Sequence, residues 1–179
     1  DAQLQEAKNI ATALKNKFRV KLDERDNLRV GEKFFEWEKK GVPLRLELGP
    51  KDLSVGQCVL ARRDTGEKIV CPLTEVEERA KELLEQIQAN LFDSALKRQK
   101  ESTSTVNDWQ SFEKALEKGG YISAFWCERT ECEVEIKEKT KATTRCLPFD
   151  AEEEIGEHAC VYCGKKTPQN KRWVFARSY

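Results

Sequence analysis

The sequence predicts an α/β chain in two parts, a mixed sheet flanked by helices followed by a small α+β domain. Three observations carry this. Val42, Leu44, Leu46 and Leu48 alternate with Pro43, Arg45 and Glu47, the period of a half-buried strand. Val76, Ala80, Leu83, Leu84, Ile87, Leu91 and Leu96 recur at the period of a long helix. Four cysteines, Cys127 and Cys132 then Cys160 and Cys163, form C-x4-C and C-x2-C pairs separated by 27 residues. Two such pairs brought together offer the four thiolates that tetrahedral Zn²⁺ prefers, with no position left for water, so the metal they imply is structural.

In chain order, Leu4, Ala7, Ala11, Leu14 and Phe18 give an amphipathic helix over 3–17. Val20 and Leu22 alternate with charges and predict a strand over 19–23; 24–31 is polar and reads as loop. A short helix over 32–40 stops at Gly41, and the 42–48 strand ends at Gly49-Pro50. Strands over 57–62 and 68–71 flank Asp64-Thr65-Gly66, a hairpin signal. Thr74 and Glu77 are spaced as a capping box opening a helix to about Lys100. The Ser/Thr-rich run 101–106 marks a break, which divides the chain into 1–100 and 101–179. Asn107 or Asp108 then caps a helix carrying Phe112, Ala115 and Leu116 that ends at Gly119-Gly120. A strand over 121–126, a helix over 131–139, a strand around 145–147, an acidic loop over 150–157 and a closing strand over 172–176 complete the chain.

Composition excludes several classes. Charged residues make up 36%, with 32 Lys and Arg against 32 Asp and Glu, which argues against binding nucleic acid, DNA included, by bulk charge. Mean hydropathy is −0.72, and no apolar run reaches the ~20 residues of a membrane span. Seven cysteines, four in metal-ligand pairs, fit a reducing, cytoplasmic setting better than a disulfide framework. A metal-dependent hydrolase is disfavoured, because the thiolate set is closed and no His-Glu zinc pattern is present. His158 lies two residues before Cys160, but four thiolates already complete a shell. Cys71 and Cys146 sit in strand-like apolar contexts and read as small core residues; Cys58 has no reading. The chain has no Met and opens at Asp1 inside an amphipathic helix, which points to a piece of something longer.

Several ordered motifs resemble prolyl-tRNA synthetase of the archaeal/eukaryotic-like type. They are Asp23-Glu-Arg-Asp26; Gly31-x-Lys33-Phe34-x-Glu36-Trp37-Glu38-x-Lys40-Gly41-Val42-Pro43; and Leu48-Gly49-Pro50-Lys51-Asp52. The tail agrees through Thr140-Lys-Ala-Thr-Thr-Arg-Cys-Leu-Pro148, the cysteine pairs and Phe175-Ala-Arg-Ser-Tyr179. The resemblance covers essentially the whole chain. It implies a class II, ATP-using enzyme, homodimeric in its complete form, that charges proline tRNA. Within it, 1–100 is the anticodon-binding domain without its first strand, and 101–179 is the C-terminal zinc domain. The segment that binds ATP and proline is not found, so this chain alone is expected to be inactive, its partners being proline tRNA and its own catalytic domain. A stand-alone RNA- or protein-binding factor of the same fold is the competing reading.

The family also implies an anticodon ending in two guanines. Guanine offers N1 and N2 donors on one edge and O6 and N7 acceptors elsewhere, so its reader needs carboxylates, cations and an aromatic face. By resemblance the acceptors are Glu38 and Asp52, the donors Arg45, Lys51 and Lys68, and the stacking face Phe34. On the residues alone, Arg45 reads by default as a solvated strand arginine, Glu38 and Lys68 as ordinary surface charges, Phe34 as a core residue, and Lys51-Asp52 as a surface pair in a loop. The resemblance places the terminal carboxylate of Tyr179 near the catalytic domain; by itself Tyr179 reads as an aromatic anchor.

Overall fold

The computed structural model describes residues 2–178; Tyr179, expected to carry a functional carboxylate, lies outside them. The chain is a mixed α/β fold that divides into two compact units, Asp1–Ser94 and Ala95–Tyr179. No helix among the described residues is long and apolar enough to cross a membrane.

In the first unit, α1 (Ala2–Leu14) and α2 (Val30–Lys39) precede β1 (Leu44–Glu47), α3 (Pro50–Ser54), β2 (Gln57–Arg62) and β3 (Lys68–Pro72). The strands form an antiparallel sheet in the order β1-β2-β3. A 3₁₀ turn, Leu73–Glu75, leads into α4 (Val76–Glu101). Alternation decides which face is covered. Cys58, Leu60 and Cys71 point to one side and pack with Leu14, Val76 and Leu83, while Arg45, Glu47 and Lys68 point to the other. The first part of α4 buries its predicted stripe at Val76, Ala80, Leu83 and Ile87, but Leu91 is exposed.

Two local expectations change here. The 19–23 segment forms no strand, although Phe18, Val20 and Leu22 are half-buried and Arg19 and Lys21 between them exposed. Its alternation records contact with the core on one side; the chain is tied down instead by Asp23, which accepts from Arg25 Nε (2.8 Å) and Nη2 (2.7 Å) and from Trp37 Nε1 (2.8 Å). The stretch after Gly49 is α3 rather than a loop. Pro50 occupies the first helical turn, and Asp52 Oδ2 accepts the Gly49 N–H at 3.2 Å, so the local sequence carries its own start signal.

In the second unit the Ser/Thr run forms β4 (Thr103–Thr105), followed by α5 (Trp109–Lys118), β5 (Tyr121–Phe125), α6 (Thr130–Thr140), β6 (Ala142–Cys146) and β7 (Arg172–Arg177). Sheet order is β4-β5-β7-β6, with β4 and β5 parallel and the rest antiparallel. Asp108 caps α5 by accepting the Ser111 N–H at 2.8 Å. Phe112, Ile122, Ile136 and Phe175 are fully buried at the centre, each contributing about 1.5–3 kcal/mol. Cys146 is exposed, contrary to its reading as a core residue. A register shift between Thr144 and Cys146 inserts Arg145 into β6, and one extra residue reverses which side the next side chain faces.

Candidate metal centre and nucleic-acid interface

The sulfur cluster is assembled by the ends of three elements. Cys127 follows β5, and Cys132 lies in the first turn of α6. Cys160 and Cys163 sit on a tight turn in which Cys160 N–H donates to Lys165 O (2.8 Å) and Gly164 N–H to Cys160 O (3.0 Å). Gly164 takes φ +68° there, a conformation that favours glycine. The Val161 N–H donates to Phe125 O at 2.9 Å, which docks this turn on the end of β5 and so brings the two cysteine pairs together.

The four Sγ atoms lie within 4.8 Å of one another, Cys132 to Cys160 at 3.6 Å and Cys127 to Cys163 at 3.7 Å. A tetrahedral ion with metal–sulfur bonds of about 2.3 Å sets its sulfurs about 3.8 Å apart, so the donor set fits a four-thiolate metal. Backbone N–H groups of Arg129 and Lys165 point at the sulfurs of Cys127 and Cys163. Burial pushes the Cys127 and Cys132 thiols above their ordinary value. Burial acts the same way on Cys163, but the Lys165 N–H and the neighbouring thiols outweigh it and hold that group lower. His158 is not among the donors; its ring stacks on Phe125 at 3.9 Å.

The second candidate site lies on the outer face of the β1-β2-β3 sheet. Pairing sets Arg45 opposite Ala61 and Ala61 opposite Lys68, so the two cations flank one small residue in a single row. Phe34 and Glu38, one turn apart on α2, reach the same place. The Arg45 guanidinium lies 3.9 Å from the Phe34 ring centre, and Lys68 Nζ lies 5.8 Å from it. Arg45 Nη1 donates to Glu38 Oε1 at 2.6 Å. Four of the six predicted residues therefore converge. Asp52 instead spends its carboxylate on the Gly49 N–H, and Lys51 is exposed on α3 beside it.

Sequence reasoning missed Glu47. Its Oε1 accepts from Arg45 Nε (3.0 Å) and Nη2 (2.9 Å), and its Oε2 from Lys68 Nζ (3.1 Å). The signal was available: residues two apart on a strand share a face, and Arg45 and Glu47 are so spaced. The cluster presents carboxylate acceptors, cationic donors and one aromatic ring, the functional groups a purine edge requires.

The family described as "Anticodon binding domain" matches residues 1–83, and that described as "Prolyl-tRNA synthetase, C-terminal" matches 109–179. A proline–tRNA ligase of Oceanobacillus iheyensis is 47% identical over 161 residues, covering 90% of this chain and 33% of that protein. One from Natranaerobius thermophilus is 44% identical over 177 residues, 98% of this chain and 36% of the relative. One from Flavobacterium johnsoniae is 45% identical over 181 residues, 99% and 36% respectively. The chain thus spans about a third of the length of these relatives. With two domain families matched in order and such identity along nearly its full length, the chain belongs to the prolyl-tRNA synthetase family.

Proposed function

We propose that this chain is the anticodon-reading and structural part of a proline–tRNA ligase. Residues 1–100 bind the anticodon of proline tRNA, and residues 101–179 form a domain stapled by Zn²⁺. The observation that carries the reading is the convergence of Phe34, Glu38, Arg45 and Lys68 on one sheet face, drawn from a helix and two strands. Glu38 accepts the N–H donors of a guanine edge, Arg45 and Lys68 donate to its acceptors, and Phe34 supplies an aromatic surface. Lys51, exposed on α3, and Asp52, through the carboxylate oxygen that does not accept from Gly49, extend the contact along α3.

Zn²⁺ is the metal that a closed set of four thiolates suits, and Cys127, Cys132, Cys160 and Cys163 hold it. It supplies folding free energy and no chemistry. The activity belongs to the whole enzyme, a cytoplasmic homodimer in which a catalytic domain uses ATP to activate proline. The names of the relatives and the match to an anticodon-binding family support the ligase part of this reading.

The test is binding of proline tRNA, and of the same tRNA with either anticodon guanine replaced, to the 179-residue chain. Arg45→Ala is expected to weaken binding by about 1–3 kcal/mol and to relax discrimination against the replaced bases. Selectivity equal to that of the unsubstituted chain would reject the role.

A further inference from the structure

Arg45 and Lys68 stand on either side of Ala61 in one row of the sheet, two strand spacings apart, about 10 Å between backbones. Two cations so placed repel each other, and each is free to seek any anion. Glu47 changes both facts. It lies two residues along β1 from Arg45, on the same face, and its two oxygens divide between the cations. The Nε–Nη2 edge of the guanidinium is fixed by Oε1, which orients its plane over Phe34 and leaves Nη1 turned toward Glu38. Glu47 is 18% exposed and Lys68 56%, so the carboxylate sits beneath the reading surface rather than at its rim. The two carboxylates, Glu38 and Glu47, balance the two cations, and the cluster is neutral.

We infer that Glu47 is a positioning residue that determines specificity at this site: it orients Arg45 and Lys68 toward a guanine edge and cancels the charge by which they would hold any phosphate. The inference rests on the anticodon reading proposed above. Phosphate contacts supply affinity without sequence information, whereas base-edge contacts supply discrimination. A neutral but polarised cluster therefore favours the second over the first. Removing the Glu47 charge turns the cluster into a net cation.

The experiment uses the 179-residue chain and two anticodon stem-loop RNAs, one ending its anticodon in two guanines and one with adenines in their place. Affinities are measured across a salt series. For Glu47→Gln the ratio of the two affinities is expected to fall at least tenfold, chiefly because the adenine loop binds more tightly. The salt dependence is expected to steepen by about one phosphate contact, a slope change of about 0.7. Glu47→Asp keeps the charge but shortens the reach, and should return the original salt slope while leaving the ratio lowered. Glu78→Gln removes the same charge from an exposed position on α4 and should leave the ratio within twofold.

Thermal melts monitor folding. If Glu47→Gln unfolds, the ratio and slope of Glu47→Asp decide the matter. A Glu47→Gln ratio within twofold of an unsubstituted chain that itself discriminates overturns the role of Glu47 alone. An unsubstituted chain that does not distinguish the two loops overturns the anticodon reading, and this inference with it.

Discussion

The two units keep their reactive groups in opposite surroundings. In Ala95–Tyr179, Cys127, Cys132 and Cys160 are buried beside the same aromatic core that holds Phe112 and Phe175. Trp126, next in chain to Cys127, packs edge-on against Trp173 at 5.0 Å. In Asp1–Ser94 the Arg45 cluster lies across the sheet from the buried Cys58, Leu60 and Leu83, and takes no part in that core. Partly solvated ion pairs such as Arg45–Glu38 are worth about 0–1 kcal/mol to folding. A partly solvated cluster of this kind can be altered without threatening the fold beneath it. A sulfur cluster set into the core cannot.

Metal removal should expose that difference most strongly. Chelation, or Cys132→Ser, is expected to unfold the second unit, since binding free energy at a structural zinc site is on the order of 10 kcal/mol and is folding free energy. Three of the four tryptophans, Trp109, Trp126 and Trp173, lie in that unit, so tryptophan fluorescence reports its loss. Backbone NMR signals of β1, β2 and β3 should persist, because that sheet has its own core. Elemental analysis should return one zinc per chain. Unchanged fluorescence after complete metal removal would falsify the staple.

A backbone substitution in the same unit tests whether its fold also depends on close approach away from sulfur. Gly120 has φ +91°, and a Cβ there would meet the Ser102 carbonyl oxygen at 2.2 Å. That carbonyl accepts the Tyr121 N–H at 2.8 Å where β5 begins beside β4. Gly120→Ala should destabilise the metal-loaded unit by about 2–4 kcal/mol, from left-handed strain plus the clash. Urea unfolding followed by tryptophan fluorescence measures it, and a loss below 1 kcal/mol would show that the β4–β5 junction yields.

The comparison also explains what could be read from sequence. The cysteine set was legible because ligand chemistry restricts residue type and spacing at once. The Arg45 site was legible only in part. Its residues were named by resemblance, but their meeting depends on register, which pairs Arg45 with Ala61 and Ala61 with Lys68. Glu47 could be read as sharing a face with Arg45, two residues along β1, but its tie to Lys68 depends on the same register. Cys58 also escaped. It faces Cys71 across β2 and β3, fully buried, and burial together with the nearby Cys71 pushes its thiol up to about 12, so it serves as an unreactive core residue. The Cys146 and 19–23 expectations failed because alternation reports which side touches a core, not whether a partner strand is present or whether a bulge intervenes.

The smallest expected effect lies in the first unit and turns on an ion pair whose carboxylate, unlike those of the Arg45 cluster, is shielded from solvent. Asp64, in the β2–β3 turn, accepts from Arg62 Nε (3.1 Å) and Nη2 (2.8 Å) and from Asn90 Nδ2 of α4 (2.8 Å); its side chain is 1% exposed. The Arg62 guanidinium, assisted by Asn90, outweighs burial and lowers the carboxyl from 3.8 to about 2. A group whose pKa is lower in the folded state stabilises above its unfolded value, and that stability is lost as pH falls through the folded one. The contribution should be constant from pH 7 to about 5, shrink below pH 4 and be nearly gone by pH 2. Its size is on the order of 2 kcal/mol. Asp64→Asn keeps the shape but cannot ionise. The stability difference between the two chains, from urea unfolding followed on NMR signals of β2 and β3, should follow that curve. A difference flat from pH 5 to pH 2 would mean that shape alone, and not the charge of Asp64, ties the hairpin to α4.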